Sequence, residues 1–401
     1  MSPPGSTRRW PNSSPMARSP PSSTAGSNWT STHPAAILPA MIGIDARLTY
    51  YRTGGISTYI VRLIKALERL DFEHPYVVLH SRKARETLVT RFQRADLWTP
   101  CHHRLERVAL SVELARFRLA LLHSPDFIPP LRGARRHVIT VHDLNFLFYP
   151  QYLTADSLRY YNGQINTAVE QADHIFADSE ATKRDLITML HVPAEKITVH
   201  LLGVDEAFQP QPPAEIARVR AALTLPPAYL LYVGTFEPRK NIAGLIEAYA
   251  QLPVDAPPLV LAGNRGWLFE ETMQQITRLN LGDRVLWREK IPQADLPGLY
   301  SGASALITPS FYEGFGLPAL EAMACGTVPI VSDRGSLPEV VGDVGLKVNP
   351  DDTAAIAQAI NHALSDSGWR DQQRAAGLRR AATFQWEATA RTVLSVYQAL
   401  L

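Results

Sequence analysis

Apolar residues along this 401-residue chain gather in two alternating patterns. Short unbroken runs mark strands buried on both faces, and recurrence every three or four positions marks helices with one buried stripe. Runs at 41–46, 76–80, 120–123, 137–141, 174–177 and 197–200 predict strands. Helical spacing at 56–70, 154–172 and 180–190 predicts helices between them. The alternation breaks at Phe208-Gln209-Pro210-Gln211-Pro212-Pro213 and restarts with the very apolar run 229–233. Strands at 259–262, 284–287, 303–307 and 328–331 then alternate with helices at 268–280, 296–301 and 317–325.

Strand–helix alternation implies parallel sheets covered by helices on both faces. The fold class is therefore α/β, with two Rossmann-like doubly wound domains, 41–208 and 209–385, facing a central cleft. Residues 386–401 form a last helix. Residues 1–40 are rich in Ser and Pro, lack an apolar run of signal-peptide length, and are expected to be a disordered extension. Met41 opens the first strand and is a candidate natural initiator.

Composition changes this picture little. An apolar fraction of 46% and a charged fraction of 19% are those of a soluble globular protein. The net charge is +2, of which residues 1–40 carry +3 through Arg8, Arg9 and Arg18, and this balance gives no sign of a nucleic-acid partner. Cys101 and Cys325 lie in different halves, with no disulfide framework or metal knuckle. No segment is long and apolar enough for a transmembrane helix, and a cytoplasmic location fits. Residues 82–118 hold nine Arg or Lys against Glu86, Asp96, Glu106 and Glu113. Such a run is either a solvated face or, because Arg116 and Arg118 interleave with apolar residues, a peripheral contact with an anionic membrane.

The richest chemistry lies in Phe311-Tyr312-Glu313-Gly314-Phe315-Gly316-Leu317-Pro318, followed by Glu321. Pro318 suits a first helical turn and Gly326 a helix end, so Glu313 falls in a loop at the carboxyl end of a strand, where open α/β sheets bind ligands. Gly314 belongs to the same turn, and the N–H groups of Phe315, Gly316 and Leu317 face an anion-sized site at the helix start. Gly234 and Thr235 close another strand, and Arg239 and Lys240 follow with two cations able to neutralise a departing diphosphate; the bland alternative is a solvated basic pair. Gly54-Gly55 after the first strand is a turn or a phosphate loop, without the full dinucleotide fingerprint. His142, at a strand end, can donate to a sugar hydroxyl, or else serve as a structural histidine beside an N-capping Asp143. The chain contains no Asp-x-Asp triplet, no His-Glu-x-x-His and no Cys cluster, so no metal site and no cofactor are expected.

These motifs resemble family-4 retaining glycosyltransferases of GT-B architecture, from about Met41 to the C-terminus. The marks are Gly54-Gly55-Ile56, Val141-His142-Asp143, Ala177-Asp178-Ser179, Gly234-Thr235 with Arg239-Lys240-Asn241, and above all Glu313 and Glu321 in their Glu-Gly-Phe-Gly-Leu-Pro frame. The resemblance implies that Glu313 contacts the donor sugar and stabilises charge at its anomeric carbon. It also implies that Glu321 holds the ribose, Arg239 and Lys240 take the diphosphate, and His142 touches the sugar. Gly54 and Gly55 then line the phosphate and acceptor side, and the last helix crosses back onto the first domain. The Gly326-Thr327-Val328-Pro329 order and the loop 332–336 depart from the usual pattern, so nucleobase contacts are not assigned.

The expected activity is metal-independent, retaining transfer of a hexose from a nucleotide sugar, GDP-mannose first or a UDP-sugar, to a glycan or lipid-linked acceptor. The rivals are a sugar-nucleotide epimerase, which needs no acceptor, and a non-catalytic sugar-nucleotide binder.

Overall fold

The computed structural model describes residues 40–401 apart from 52–53, 104, 153–154 and 267–268. The expectation for residues 1–39 lies outside the described residues. Two sheets organise the chain, and every strand pairing in both is parallel. The first contains β1 (Ile42–Asp45), β2 (Tyr76–Ser81), β3 (Gln93–Leu97), β4 (Leu119–Ser124), β5 (Ala134–Val141), β6 (His174–Ala177) and β7 (Ile197–Val199). The second contains β8 (Leu230–Val233), β9 (Leu259–Ala262), β10 (Val285–Arg288), β11 (Ala305–Thr308), β12 (Pro329–Ser332) and β13 (Leu346–Val348). The orders are β3-β2-β1-β4-β5-β6-β7 and β10-β9-β8-β11-β12-β13, the same winding twice. Each reverses direction beside its first strand, between β1 and β4 and between β8 and β11, and a crevice opens at such a reversal.

The apolar runs become strands because both faces are covered. β2, β4, β9, β11 and β12 are buried along their whole lengths. The helix Gly55–Leu70 buries Tyr59, Ile60, Leu63, Ile64 and Leu67 along one stripe. It packs against the last helix, Trp386–Leu400, which buries Trp386, Val393 and Tyr397. This last helix therefore docks on the first sheet's layer, where Tyr397 meets His123 of β4 through a hydrogen bond of 2.5 Å.

Some elements differ from the sequence expectation. β3 is an edge strand whose sequence, Gln-Arg-Ala-Asp-Leu, buries only Ala95 and Leu97, so it gives no apolar run. The helix Pro213–Leu223 starts inside the stretch read as a linker, with proline in its first turn. Helices Ile242–Ala250, Thr353–Ser365 and Ser367–Ala381 add cover to the second half. Both sheets belong to one compact unit.

Candidate functional site

The loops at the carboxyl ends of β1, β5, β8 and β11 meet around one cavity of about 470 Å³. Its lining includes Gly54, Gly55, His142, Gly234, Thr235, Arg239, Lys240, Glu313, Gly314, Phe315, Gly316, Leu317 and Glu321. Residues separated by up to 267 positions in sequence thus share one wall, because both switch points open to the same crevice. A wider cavity of about 670 Å³ adjoins it, sharing Gly54, Ser57, Thr58, Gln293, Leu317 and Glu321.

Glu313 is buried at the centre of a cationic cage. Lys240 Nζ lies 2.5 and 2.7 Å from its two carboxylate oxygens, Arg239 Nη1 donates at 3.1 Å, and Ser310 Oγ donates at 2.8 Å. Burial alone would raise the Glu313 carboxyl, but Lys240 and Arg239 override it and hold it at about 2. Burial and the Arg239 charge push Lys240 down, while Glu313 and Asp143 keep Arg239 charged against its own burial. Sequence reasoning gave the two cations to a diphosphate, whereas here they already hold Glu313. Ser310 was missed because a serine three residues before a glutamate carries no signal until the turn brings them together.

The 313–315 segment is held from beneath. Ser336 Oγ donates to the carbonyls of Glu313 at 2.9 Å and Phe315 at 2.8 Å. Gly316, at φ 102°, caps the helix Leu317–Ala324, whose N-terminal end faces the cavity. Leu337 would lie 2.5 Å from a Cβ at Gly316, so backbone conformation and space both require glycine there.

Glu321 is partly buried and accepts a hydrogen bond from Tyr300 Oη at 2.8 Å. Burial raises its carboxyl to about 7, the tyrosine hydroxyl only partly offsetting this. A carboxylate poised near neutrality suits a partner carrying hydroxyl donors.

His142 takes the hydrogen-bonded structural arrangement of the two sequence alternatives, with partners the sequence did not point to. Its Nδ1 lies 2.7 Å from Asp178 Oδ2 and its Nε2 lies 2.8 Å from the Pro125 carbonyl. Both neighbours are acceptors, so both ring nitrogens must donate, and the ring is an imidazolium. Burial opposes that charge, but Asp178 and the Pro125 carbonyl raise the ring to about 9. Asp143 accepts from the Asn145 N–H at 3.0 Å.

Arg239 and Lys240 form a short 3-10 turn that ends at Asn241, which has φ 54°. The Asn241 side-chain amide donates to the carbonyls of Pro309 and Pro350, 3.1 and 2.6 Å away, and its oxygen caps the helix Ile242–Ala250. This asparagine fixes the cation-bearing turn to the loop that leads into Glu313.

Comparisons with known proteins agree with this fold. The family described as "Glycosyltransferase Family 4" matches residues 53–208, and that described as "Glycosyl transferases group 1" matches residues 215–380. The O-antigen chain mannosyltransferase B of Escherichia coli is 33% identical over 371 residues, covering 87% of this chain and 97% of its own. The sucrose-phosphate synthase of Thermosynechococcus elongatus superposes with a TM-score of 0.74 at 25% identity, covering 90% of this chain and 99% of its own. The Anabaena protein Alr3699/HepE, solved with UDP and glucose, also gives a TM-score of 0.74, at 20% identity, covering 90% of this chain and 100% of its own, and supports the fold alone.

Proposed function

Because this chain belongs to the group 1 glycosyltransferases, with the GT-B fold, we propose that its cleft transfers mannose from GDP-mannose to a glycan or lipid-linked acceptor in polysaccharide synthesis. The observation that carries this reading is the Arg239–Lys240–Glu313 cage. A buried carboxylate kept ionised beside two cations is what glycosyl transfer from a diphosphate needs. The donor's diphosphate draws Arg239 and Lys240, and Glu313 turns toward the sugar ring as positive charge grows at the anomeric carbon. The two cations neutralise the leaving group, so no metal is required. The N-terminal end of the helix Leu317–Ala324 adds its dipole at the phosphates, and Glu321 accepts from the ribose hydroxyls.

Transfer proceeds at the front face with retention of configuration, the leaving phosphate accepting the acceptor's proton. Lys240, Arg239 and Ser310 hold Glu313 ionised, the charge state that a stabilising carboxylate needs. The deciding experiment incubates the protein with GDP-mannose, EDTA and a mannoside acceptor, and reads the anomeric configuration of the product by NMR. An α-linked product supports the reading. A glycosyl–protein adduct found by mass spectrometry overturns the front-face step, and a changed sugar still attached to its nucleotide supports an epimerase.

The basic region supports membrane contact by a different route from its charge count. The helix Glu106–Leu114 buries Leu110 and Leu114 but leaves Leu105, Val108 and Val112 exposed on its outer side, Val112 at 75%. Trp98 is also exposed, with the Arg82 guanidinium 3.7 Å over its ring. Arg91 and Arg94 are tied to backbone carbonyls, while Arg116, Arg118 and Arg132 are exposed. An exposed apolar row in a segment that also exposes arginines suits an anionic lipid surface. Arg104 lies outside the described residues. Co-sedimentation with phosphatidylglycerol vesicles, lost in Val108→Glu/Val112→Glu, tests this contact; equal sedimentation of both proteins refutes it.

A further inference from the structure

We propose that the turn at Asp178 and Ser179, between β6 and the helix Glu180–Leu190, is a latch that fixes the loop bearing Glu313 relative to His142 when the cleft is closed. Asp178 and Ser179 are then positioning residues for transfer. The turn touches both walls of the cavity. Ser179 is completely buried, and its Oγ donates to the Gly314 carbonyl at 2.8 Å, spanning the two halves. The same oxygen accepts the Thr182 N–H at 3.1 Å, so the hydroxyl caps its own helix while it holds the opposite loop. One residue earlier, Asp178 holds the His142 ring. One residue later, the Glu180 N–H donates to the carboxylate of Glu339, 3.0 and 3.1 Å away, again from the other half.

Gly314 is the point of closest approach. A Cβ there would sit 2.0 Å from the His142 carbonyl oxygen, so the two backbones touch only because this residue is glycine. Glu313 and Phe315 have their carbonyls fixed by Ser336 from the second half, and Gly314 has its own fixed by Ser179 from the first. The carboxylate facing the donor is therefore located by both halves at once. If the halves separate, Ser179 releases the Gly314 carbonyl and Glu180 releases Glu339, while Asp178 keeps its hold on His142. Closure thus sets the distance between the imidazolium and Glu313 through a single rigid turn.

The charge on His142 depends on the same turn. Besides Asp178, the groups around the ring are Asp126 after β4, His123 on β4, His200 after β7 and Tyr59 of the helix Gly55–Leu70, whose ring centroid is 5.1 Å away. His123 and His200 are pushed toward neutrality, chiefly by burial, which leaves Asp178 as the anion bonded to His142.

This inference rests on the transferase reading, so its test keeps the two apart. Ser179→Ala, Ser179→Thr and Asp178→Asn are compared with the wild type for GDP-mannose KM, kcat against pH, and thermal shift with GDP. Ser179→Ala raises the donor KM about fivefold, the worth of one net hydrogen bond, and Ser179→Thr restores it. Asp178→Asn leaves the GDP shift in place but moves the alkaline limb of kcat toward the ordinary imidazole range. Equal KM values for Ser179→Ala and wild type, or an unmoved pH profile in Asp178→Asn, overturns the latch. Nitrogen-15 NMR of the wild type at pH 7.5 gives a reading independent of folding in the variants. Two protonated ring nitrogens on His142 are expected, and a neutral ring refutes the assignment. Loss of the GDP shift in the wild type defeats the transferase reading instead.

Discussion

Lys240 and Glu313 form a buried ion pair, with the ammonium 2.5 and 2.7 Å from the two carboxylate oxygens and 73 positions of sequence between them. The pair bears on stability as well as chemistry. Removing one member of a buried pair leaves the other charge uncompensated, at a typical cost of about 3–5 kcal/mol. Glu313→Gln is expected to lower transfer by about a hundredfold or more, as for other lost transition-state contacts. It is also expected to lower the melting temperature and to keep GDP binding. GDP then stabilises the variant more than the wild type, because the diphosphate supplies the missing negative charge. Calorimetry with and without GDP checks this, and transfer at the wild-type rate excludes Glu313 from the reaction.

Lys240→Ala separates phosphate binding from base and ribose binding. The variant is expected to lose affinity for GDP far more than for guanosine. Titration calorimetry with both ligands measures the difference. An equal loss for both puts Lys240 outside the phosphate site.

Glu321 makes nucleotide binding depend on pH. Its carboxyl is raised by burial to about 7, so near neutrality the empty site is a mixture of protonated and ionised forms. Ribose hydroxyls donate to the ionised form, so binding lowers this value and releases protons. GDP affinity is expected to rise from pH 6 to pH 8. Calorimetry at pH 6.5 in buffers of different ionisation enthalpy should report proton release, absent in Glu321→Gln.

His142 gives stability the opposite dependence. Its folded value of about 9 lies above the ordinary 6.5, so the folded state holds the extra proton between these limits. The contribution is complete below pH 6.5 and is lost as pH rises through 9. His142→Gln is therefore expected to destabilise the protein strongly at pH 6 and little at pH 10. Urea titrations at both values test it.

The sequence exposed those parts of the site whose chemistry is local. Glu313, Gly314, Gly316, Pro318 and Glu321 sit on one strand–turn–helix unit, where each residue type answers a geometric demand of its neighbours. Buried strands such as β8 and β11 were legible because both faces are covered, so their residues are apolar without alternation. β3 was not, since at a sheet edge Gln93 and Asp96 are exposed and Arg94 is half-buried, which leaves no apolar run. The helix Glu106–Leu114 was hidden for the converse reason: Val108 and Val112 outside, with Leu110 and Leu114 inside, erase the helical stripe.

Partners distant in sequence were not legible at all. Nothing local links Ser179 to Gly314, 135 positions away, or makes Asp178 the keeper of the His142 proton. The assignment of Arg239 and Lys240 to a diphosphate alone also overlooked Glu313, because two sheets must close before the three residues meet.

A thermal-shift panel with GDP, UDP, ADP and dTDP, each with and without EDTA, tests the donor-site account most directly. A nucleotide at about 100 times its dissociation constant adds roughly 2.7 kcal/mol of stability. The account predicts a clear shift with GDP, unchanged by EDTA and greatly reduced in Lys240→Ala. A panel in which no nucleotide shifts the protein, or in which the shift vanishes with EDTA, contradicts it.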